Sequence, residues 1–321
     1  MGRYIIRRIL YLIVVLLVIT FVTYFIFFQL PPTDPTTAFA GKLPTQEIRE
    51  EVRKAFGLDK PMLVQYGLFV RHIFLGDEFG WPGLGFSFAS RVPIKDIIFE
   101  RAVVTMQLAL GGAIVWLLVG IPIGIISALK RRTLVDRASM TFALVGVSAP
   151  NFWLGLLGLY LFWRQLGISA GTGYVPLGEN PGQWFAHMWL PWIIIAVQFS
   201  AFYARMVRGN LLETLGEDYI RTARAKGLSE RKVIGKHGLR ASLTPVVTMF
   251  GMDFAFVLSG AIITENVFNL PGLGVLVVDS ASRGDLPVIL ATTVIGAFFI
   301  SFFALVVDIL YAYLDPRVRY S

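Results

Sequence analysis

Six long apolar stretches, separated by polar segments, dominate the pattern of this chain. Each is close to or longer than the roughly 20 apolar residues that one bilayer crossing needs. Helices satisfy their backbone hydrogen bonds internally inside a bilayer. The pattern therefore predicts an all-α polytopic membrane protein with six transmembrane helices. The predicted spans are approximately residues 9–30, 102–128, 138–163, 188–204, 245–266 and 287–313.

The polar segments include one long loop, residues 31–99, between the first and second predicted spans. Within it, "LPTQEIREEVRKAFGLDKP" predicts an amphipathic helix that begins near Thr45 and ends at Gly57. A second amphipathic helix is expected after Pro61. A loop of about 70 residues is too small to form an independent catalytic domain. We expect a small cap that rests on the membrane face.

Two prolines lie inside predicted spans, Pro122 in the second and Pro150 in the third. Each removes a backbone hydrogen bond and is expected to kink its helix. Gly120 and Gly124 have the small-xxx-small spacing that allows two helices to approach closely. The pair favours ordinary packing, with a gating hinge as the alternative.

The distribution of positive charge indicates the sidedness of the chain. The chain has 321 residues, of which 55% are hydrophobic, and a net charge of +8. With the N-terminus in the cytoplasm, the inside segments hold 18 Lys or Arg and the outside segments hold 11, nine of them in the long first loop. Short loops weigh most in the positive-inside rule. Both termini are therefore expected to face the cytoplasm, and no nucleic-acid binding is inferred from the charge.

The sequence offers little for catalysis. It has no cysteine, three scattered histidines and no phosphate-binding loop. We predict no enzymatic site, no metal site and no cofactor in this chain, so any ATP-driven work must come from a partner.

Few ionisable groups fall inside the predicted spans. A charge at membrane depth usually faces a bundle interior or a water-filled path. Asp253 is a candidate for the lining of a translocation pathway or for a partner interface, with a local structural hydrogen bond as the alternative. Asn151 is a second, weaker pathway candidate. Glu265 is expected to cap the short segment that follows it, and Asp308 is expected to be structural.

The predicted cytoplasmic loop 205–244 carries nine Lys or Arg and has an ordered pattern. "GEDYIRTARAKG" predicts a short helix with acids in its first turn and a left-handed stop at Gly227, after which Ser229 begins a second helix. Tyr219 and Ala223 share one face, and Ala223, Ala225 and Gly227 are small enough to allow close approach of another surface. A helix that docks on a protein partner is favoured over a lipid-binding patch, a DNA-reading helix–turn–helix or a merely solvated loop.

This loop resembles the cytoplasmic loop of ABC importer permeases of the dipeptide/oligopeptide/nickel class. The loop signature of that family is written E-A-A, three residues, then G, and here Arg221, Thr222, Ala223 and Gly227 occupy those positions. The resemblance extends over nearly the whole chain, through "RYIIRRIL", "ERAVVTMQLAL", "GIPIGIISALKRRTLVDR", "SAPNFWLGLL", "TENVFNLPGLG" and "DPRVRY". "DEFGWPGLGFSF", within residues 77–88, looks longer than the corresponding family segment.

The resemblance implies a type I ABC importer permease fold in the cytoplasmic membrane of a prokaryote. The implied domains are residues 1–100, a transmembrane helix with an extracytoplasmic cap, and residues 101–321, a core permease domain of five transmembrane helices. Implied partners are a second homologous permease, two ABC ATPases that bind ATP and Mg²⁺, and an extracytoplasmic substrate-binding protein. The residues implied for ATPase coupling are Tyr219, Arg221, Thr222, Ala223, Arg224, Ala225, Lys226, Gly227 and Leu228.

The expected substrates are di- or oligopeptides. Oligosaccharides and nickel chelates are the alternatives within the same class. The seven tryptophans are compatible with sugar stacking, although Trp189 and Trp192 fit an interfacial belt equally well. A stand-alone carrier or channel is the alternative from another class, but it predicts internal repeats or several buried charges, and the sequence shows neither.

Overall fold

A computed structural model describes residues 2–28, 45–56, 58–87 and 89–314 of the chain. The described part is built from helices, with a single antiparallel pair of two-residue strands, β1 (Phe86–Ser87) and β2 (Val92–Pro93). The all-α prediction is confirmed apart from this small ladder. Four described helices are long and apolar enough to cross a membrane alone, and three bent helix pairs would raise the number to seven. The count of six spans stays a prediction.

Four predicted spans correspond to single long helices. These are α1 (Gly2–Phe28), α4 (Ile94–Leu129), α7 (Pro181–Gly216) and α14 (Leu286–Leu314). Pro122 lies inside α4, and Pro191 lies inside α7. Residues 29 and 30 of the first predicted span lie outside the described residues.

The third predicted span is not one kinked helix. It divides into α5 (Leu134–Ser148) and α6 (Asn151–Gly158), which continues as a π-helix, π1 (Leu159–Gln165), and the two halves meet at 102°. Ala149 has an extended backbone, with ψ of 127°. The ring of the following proline excludes the helical conformation at the residue before it, and the proline itself lacks an N–H donor. Pro150 therefore ends one helix and starts another.

The fifth predicted span is also shorter than expected. The helix α11 (Thr244–Leu258) ends eight residues before the predicted boundary at residue 266, and Gly260 follows with φ of +130°. Two short helices come next, α12 (Ile262–Phe268) and α13 (Leu273–Arg283), bent by 86°. An L side chain rarely adopts the backbone of Gly260, so the glycine fixes the break.

The predicted cap contains both expected helices, α2 (Gln46–Phe56) and α3 (Met62–Leu75). The predicted stop at Gly57 lies outside the described residues. After α3 the chain turns at Asp77, whose carboxylate accepts hydrogen bonds from the backbone N–H of Phe79 and of Gly85, both at 2.9 Å. These bonds order the segment that the sequence identified as longer than usual.

The described chain forms two compact units. The first comprises Met1–Met106, Ala255–Glu265 and Pro271–Leu305. Among its described residues, the apolar core includes one cluster around Tyr24, Phe28, Leu290 and Val294, and another around Ile94, Ile98, Leu273, Leu276, Val288 and Ala291. Ser87 donates a hydrogen bond to Asp285 at 2.5 Å, and both residues are buried.

The second unit comprises Gln107–Phe254, Asn266–Leu270 and Val306–Ser321. Helices α4 and α7 approach closely in it. A Cβ on Gly120 would lie 2.8 Å from the carbonyl oxygen of Ser200, and one on Gly124 would lie 2.7 Å from that of Ala204. The prediction that the two glycines serve close packing is confirmed.

Candidate functional site

The basic loop forms a helix, a corner and a second helical segment, as predicted. The first helix is α8 (Asp218–Ala225), with Asp218 in its first turn and Arg224 in its last. Gly227 has φ of +76° and turns the chain into α9 (Glu230–Lys232). The chain then continues through a π-helix, π2 (Val233–Gly238), and through α10 (Leu239–Ser242) towards α11.

One face of α8 packs against its own chain. Ile220 is fully buried and Ala223 is 7% exposed, and both pack against Val233. Leu215 and the half-buried Leu228 complete this small core. Ala223 and Leu228 therefore face inward in this structure, which the spacing alone did not indicate. Their assignment to ATPase coupling stays a prediction.

The remaining surface of α8 is open, beginning with Tyr219, which neighbours the buried Ala223 at i,i+4 spacing. Tyr219 is 45% exposed. The other outward residues of the predicted coupling set are Arg221, Thr222, Arg224, Ala225, Lys226 and Gly227. The structure thus collects seven of the nine candidates on the accessible side, with small side chains between basic ones. Such a surface can dock in a complementary, partly acidic groove of a partner protein.

Arg224 and Glu230 join the two sides of the corner. The Arg224 guanidinium donates to the Glu230 carboxylate through Nη2 at 2.7 Å and through Nε at 3.1 Å. This hydrogen bonding holds the pKa of the Glu230 carboxyl below its ordinary value. Because the two residues flank Gly227, their ion pair bridges α8 and α9 across the corner.

A second ion pair lies at the base of the loop, and no sequence pattern indicated it. Arg208 on α7 donates to the carboxylate of Asp136 on α5, with Nε at 2.7 Å and Nη2 at 2.9 Å. The same carboxylate accepts from the Ser127 hydroxyl at 2.5 Å and from the Arg132 backbone N–H at 2.8 Å. This one carboxylate on α5 therefore binds to α4, to the turn at Arg132 and to α7 within the second unit.

The pathway candidate Asp253 has a polar partner within its unit. Its carboxylate accepts a hydrogen bond of 2.8 Å from the Tyr203 hydroxyl on α7. The local hydrogen bond considered as an alternative is therefore present, and a role in the pathway stays a prediction. Asn151 begins α6, directly after the Pro150 break. Gln198 on α7 donates to the Ala149 carbonyl at 2.9 Å beside this break.

The sequence did not indicate Tyr203 as the partner of Asp253, or Gln198 as a donor beside the Pro150 break. Both are polar groups in a mostly apolar predicted span, and that contrast was the available signal. Trp192, by comparison, donates to the Gln107 carbonyl at 3.0 Å, which gives its indole a structural partner.

Glu265 has the capping role predicted for it. Its fully buried carboxylate accepts from the Val275 backbone N–H at 3.0 Å, in the first turn of α13, and from the Thr105 hydroxyl at 2.8 Å. A Cβ on Gly272 would lie 2.3 Å from the carboxyl carbon of Glu265. The glycine is therefore required for this cap. Among the described residues, no group of three or more His, Asp or Glu side chains is placed to hold a metal ion.

Comparison with known proteins gives consistent results along the chain. Residues 120–320 match the family described as binding-protein-dependent transport system inner membrane component, and residues 1–109 match its N-terminal counterpart. A protein of Brucella abortus (strain 2308), named as a peptide transport system permease, is 38% identical over 100% of both chains. The glutathione transport system permease protein GsiC of Salmonella typhi is 39% identical, also over 100% of both chains.

A solved structure shares the fold. A chain of the MetNI methionine ABC transporter, in an inward-facing conformation, aligns with a TM-score of 0.53 at 16% identity, over 70% of this chain and 98% of that chain. At this identity the likeness concerns the fold alone. The predicted ABC importer fold class is confirmed at that level.

Proposed function

Because the chain belongs to the family of inner membrane components of binding-protein-dependent transport systems, we propose that it is the permease subunit of an ATP-driven importer of di- or oligopeptides. One observation carries the proposal. Relatives named for peptide and for glutathione transport match the chain from end to end at 38% and 39% identity. Oligosaccharides and nickel chelates are the alternative substrates within the same class.

The partners in this proposal are a second homologous permease, two ABC ATPases and an extracytoplasmic binding protein. The ATPases would bind ATP and Mg²⁺, since this chain has no phosphate-binding loop. We place the complex in the cytoplasmic membrane of a prokaryotic cell, with both termini inside. The domain division at residues 1–100 and 101–321, and the count of six transmembrane helices, are part of the same proposal.

The outward face of α8 is the proposed ATPase contact. Its exposed tyrosine, small side chains and basic groups support this role, and its inner face ties it to the rest of the loop. In the proposed mechanism, ATP-driven closure of the partners moves α8, and the bundle responds by exposing the pathway alternately to each side. Asp253 and Asn151 are the proposed pathway residues.

Purification and reconstitution test the proposal. The chain is purified in mild detergent from cells that also express the products of its neighbouring genes, and we expect two ATPases to accompany it. In proteoliposomes, the binding protein with a labelled peptide is expected to stimulate ATP hydrolysis and to give uptake that a non-hydrolysable ATP analogue abolishes. Uptake by the chain without ATPases would identify a stand-alone carrier, and stimulation by oligosaccharides or nickel chelates alone would exclude the peptide assignment.

The coupling role has its own test. Proline requires φ near −65°, whereas Gly227 has φ of +76°. Gly227→Pro should therefore change the corner while membrane insertion is retained, and ATP hydrolysis should no longer drive uptake. Gly178→Pro, in a loop outside the described contacts of α8, is the control. Normal peptide uptake by a stably inserted Gly227→Pro variant would contradict the coupling role proposed for this corner.

A further inference from the structure

The cap helix α3 has an apolar face that its own chain leaves uncovered. Leu63 is 74% exposed and Leu75 is 73% exposed. Val64, Phe74 and the nearby Trp81 are exposed as well. At 100° per residue, Leu63, Val64, Phe74 and Leu75 fall within one third of the helix circumference. An exposed apolar face of this kind, with its large side chains at the two ends of the helix, marks an interaction surface.

The opposite face of α3 packs against α1. The Tyr66 hydroxyl lies 3.0 Å from the Thr20 hydroxyl and donates to the Leu17 carbonyl at 2.8 Å. Tyr24 donates to the Gln65 side chain at 2.7 Å. Thr20 and Leu17 lie within the charge-free apolar run Ile9–Leu30, so α3 contacts a part of α1 that is expected inside the bilayer.

The first turns of α14 give a second and independent measure of depth. Tyr66 and Phe69 of α3 pack against the cluster that contains Leu290 and Val294. These two residues lie four and eight positions after the start of α14 at Leu286, about 6 and 12 Å along the axis. One leaflet contributes about 15 Å to the hydrocarbon core. Two apolar helices of spanning length therefore place α3 at the level of the leaflet that holds the carboxyl end of α1.

The polar groups of α3 suit this position. Gln65 is buried, accepts from Tyr24 and donates to the Lys60 carbonyl at 2.7 Å, so its amide is satisfied within the protein. Arg71 is the one Lys or Arg of α3, and it lies on the exposed face. A long cationic side chain can extend from the acyl boundary to the phosphate layer. Tryptophan is enriched at the same boundary.

We propose that α3 is an interfacial membrane helix, with Leu63, Val64, Phe74, Leu75 and Trp81 in contact with lipid acyl chains and Arg71 with lipid phosphates. This placement differs from the cap predicted from the sequence, which would rest on the membrane face and lie outside the bilayer. A helix in this plane inserts its apolar face about 5–10 Å into the boundary between headgroups and acyl chains. The inference rests on the two spanning helices and is independent of the substrate.

The absence of cysteine from the chain makes a direct test possible. Leu63→Cys and Phe74→Cys, each the only cysteine, are spin-labelled in the assembled complex reconstituted in lipid bilayers. Collision rates with dissolved oxygen, which concentrates in lipid, and with a water-soluble nickel chelate are then measured. Arg49→Cys, on the exposed surface of α2, is the matched control, and Leu75→Cys replaces either variant that does not assemble.

We expect the oxygen-to-nickel collision ratio at positions 63 and 74 to exceed the ratio at position 49 several-fold. A ratio at or below that of Arg49→Cys would show a surface in water and would overturn the proposal. Low collision rates with both reagents would overturn it as well, because they would show that a protein partner covers the face. Neither result depends on transport, so failure here is distinguishable from failure of the proposed function.

Discussion

At the scale of single residues, two buried carboxylates organise this chain. Asp136 accepts from Ser127, Arg132 and Arg208, and Glu265 caps α13. A buried charge is costly unless it is paired and fully hydrogen-bonded. Each carboxylate therefore stabilises its surroundings only while its particular donors stay in place, which makes both sites sensitive to conservative substitutions.

Asp136→Asn is expected to destabilise the protein by about 2–3 kcal/mol, because Arg208 loses its buried counter-charge. The measurement is the thermal unfolding midpoint of the purified protein in detergent. Glu230→Gln, which breaks an ion pair that is exposed, is the control and should change the midpoint little. Equal midpoints for wild type and Asp136→Asn would contradict the role given to this ion pair.

Gly272→Ala is expected to destabilise the protein by about 2 kcal/mol, because the added methyl group overlaps the Glu265 carboxyl and must displace it. Gly178→Ala is the matched control, since a Cβ at that position meets nothing within 4 Å. Thermal unfolding of both variants provides the comparison. An unchanged midpoint for Gly272→Ala would show that the cap tolerates displacement.

At the scale of elements, α8 has two different faces. Its inner face, Ile220 and Ala223, belongs to the core of the loop, while its outer face holds Tyr219 and the basic groups. Arg224 is exposed, yet it is engaged with Glu230 across the corner. A charge reversal at Arg224 alone would therefore alter the corner and the outer face together, and a paired exchange is needed to separate them.

The exchange Arg224→Glu with Glu230→Arg should restore the corner, because the same ion pair forms in the reverse direction. We expect Arg224→Glu alone to lower peptide-stimulated ATP hydrolysis and the exchange to recover it. Arg221→Glu, on the same helix, is the comparison. Its ion pair with Asp218 is exposed and 3.4 Å long, so the exchange Arg221→Glu with Asp218→Arg is not expected to rescue it. If the double variant stays as impaired as Arg224→Glu, the charge at position 224 contacts the ATPase directly.

The elements also show how far the sequence could predict this structure. Hydrophobic runs predicted α1, α4, α7 and α14, because a long apolar helix carries its signal in its own residues. The 102° break at Pro150 was predicted only as a kink, since proline chemistry gives the position of a break and the surrounding contacts give its angle. The bonding of Asp136 to Arg208 joins residues 72 positions apart, and no local pattern reports such a pair.

At the scale of the whole molecule, each polar segment is predicted to lie on a definite side of the membrane. The proposed sidedness puts α8 in the cytoplasm and the loop before α7 outside. This sidedness was predicted from the distribution of Lys and Arg along the chain. The helix α7, Pro181–Gly216, joins the two regions without interruption, so the two ends of this one helix are expected on opposite sides of the membrane.

Labelling of single cysteines tests this sidedness. In intact cells, a membrane-impermeant thiol reagent is expected to modify Glu179→Cys and to leave Lys236→Cys, in the basic loop but outside the proposed ATPase contact, unmodified. Inverted membrane vesicles should give the reverse result. Both positions are exposed, so differences in burial do not explain the contrast. Modification of both variants from the same side would contradict the proposed topology.

The length of α7 has a mechanical consequence. Ser200, where α4 packs closely at Gly120, lies 16 residues before the end of the helix at Gly216, which is about 24 Å along the axis. If that close contact acts as a fulcrum, a rotation of about 5° moves the far end of the arm by about 2 Å, the size of helix shift that switching proteins use. The long helix would then act as a lever. Its end at the ATPase would move farther than the part of the helix beside the substrate pathway.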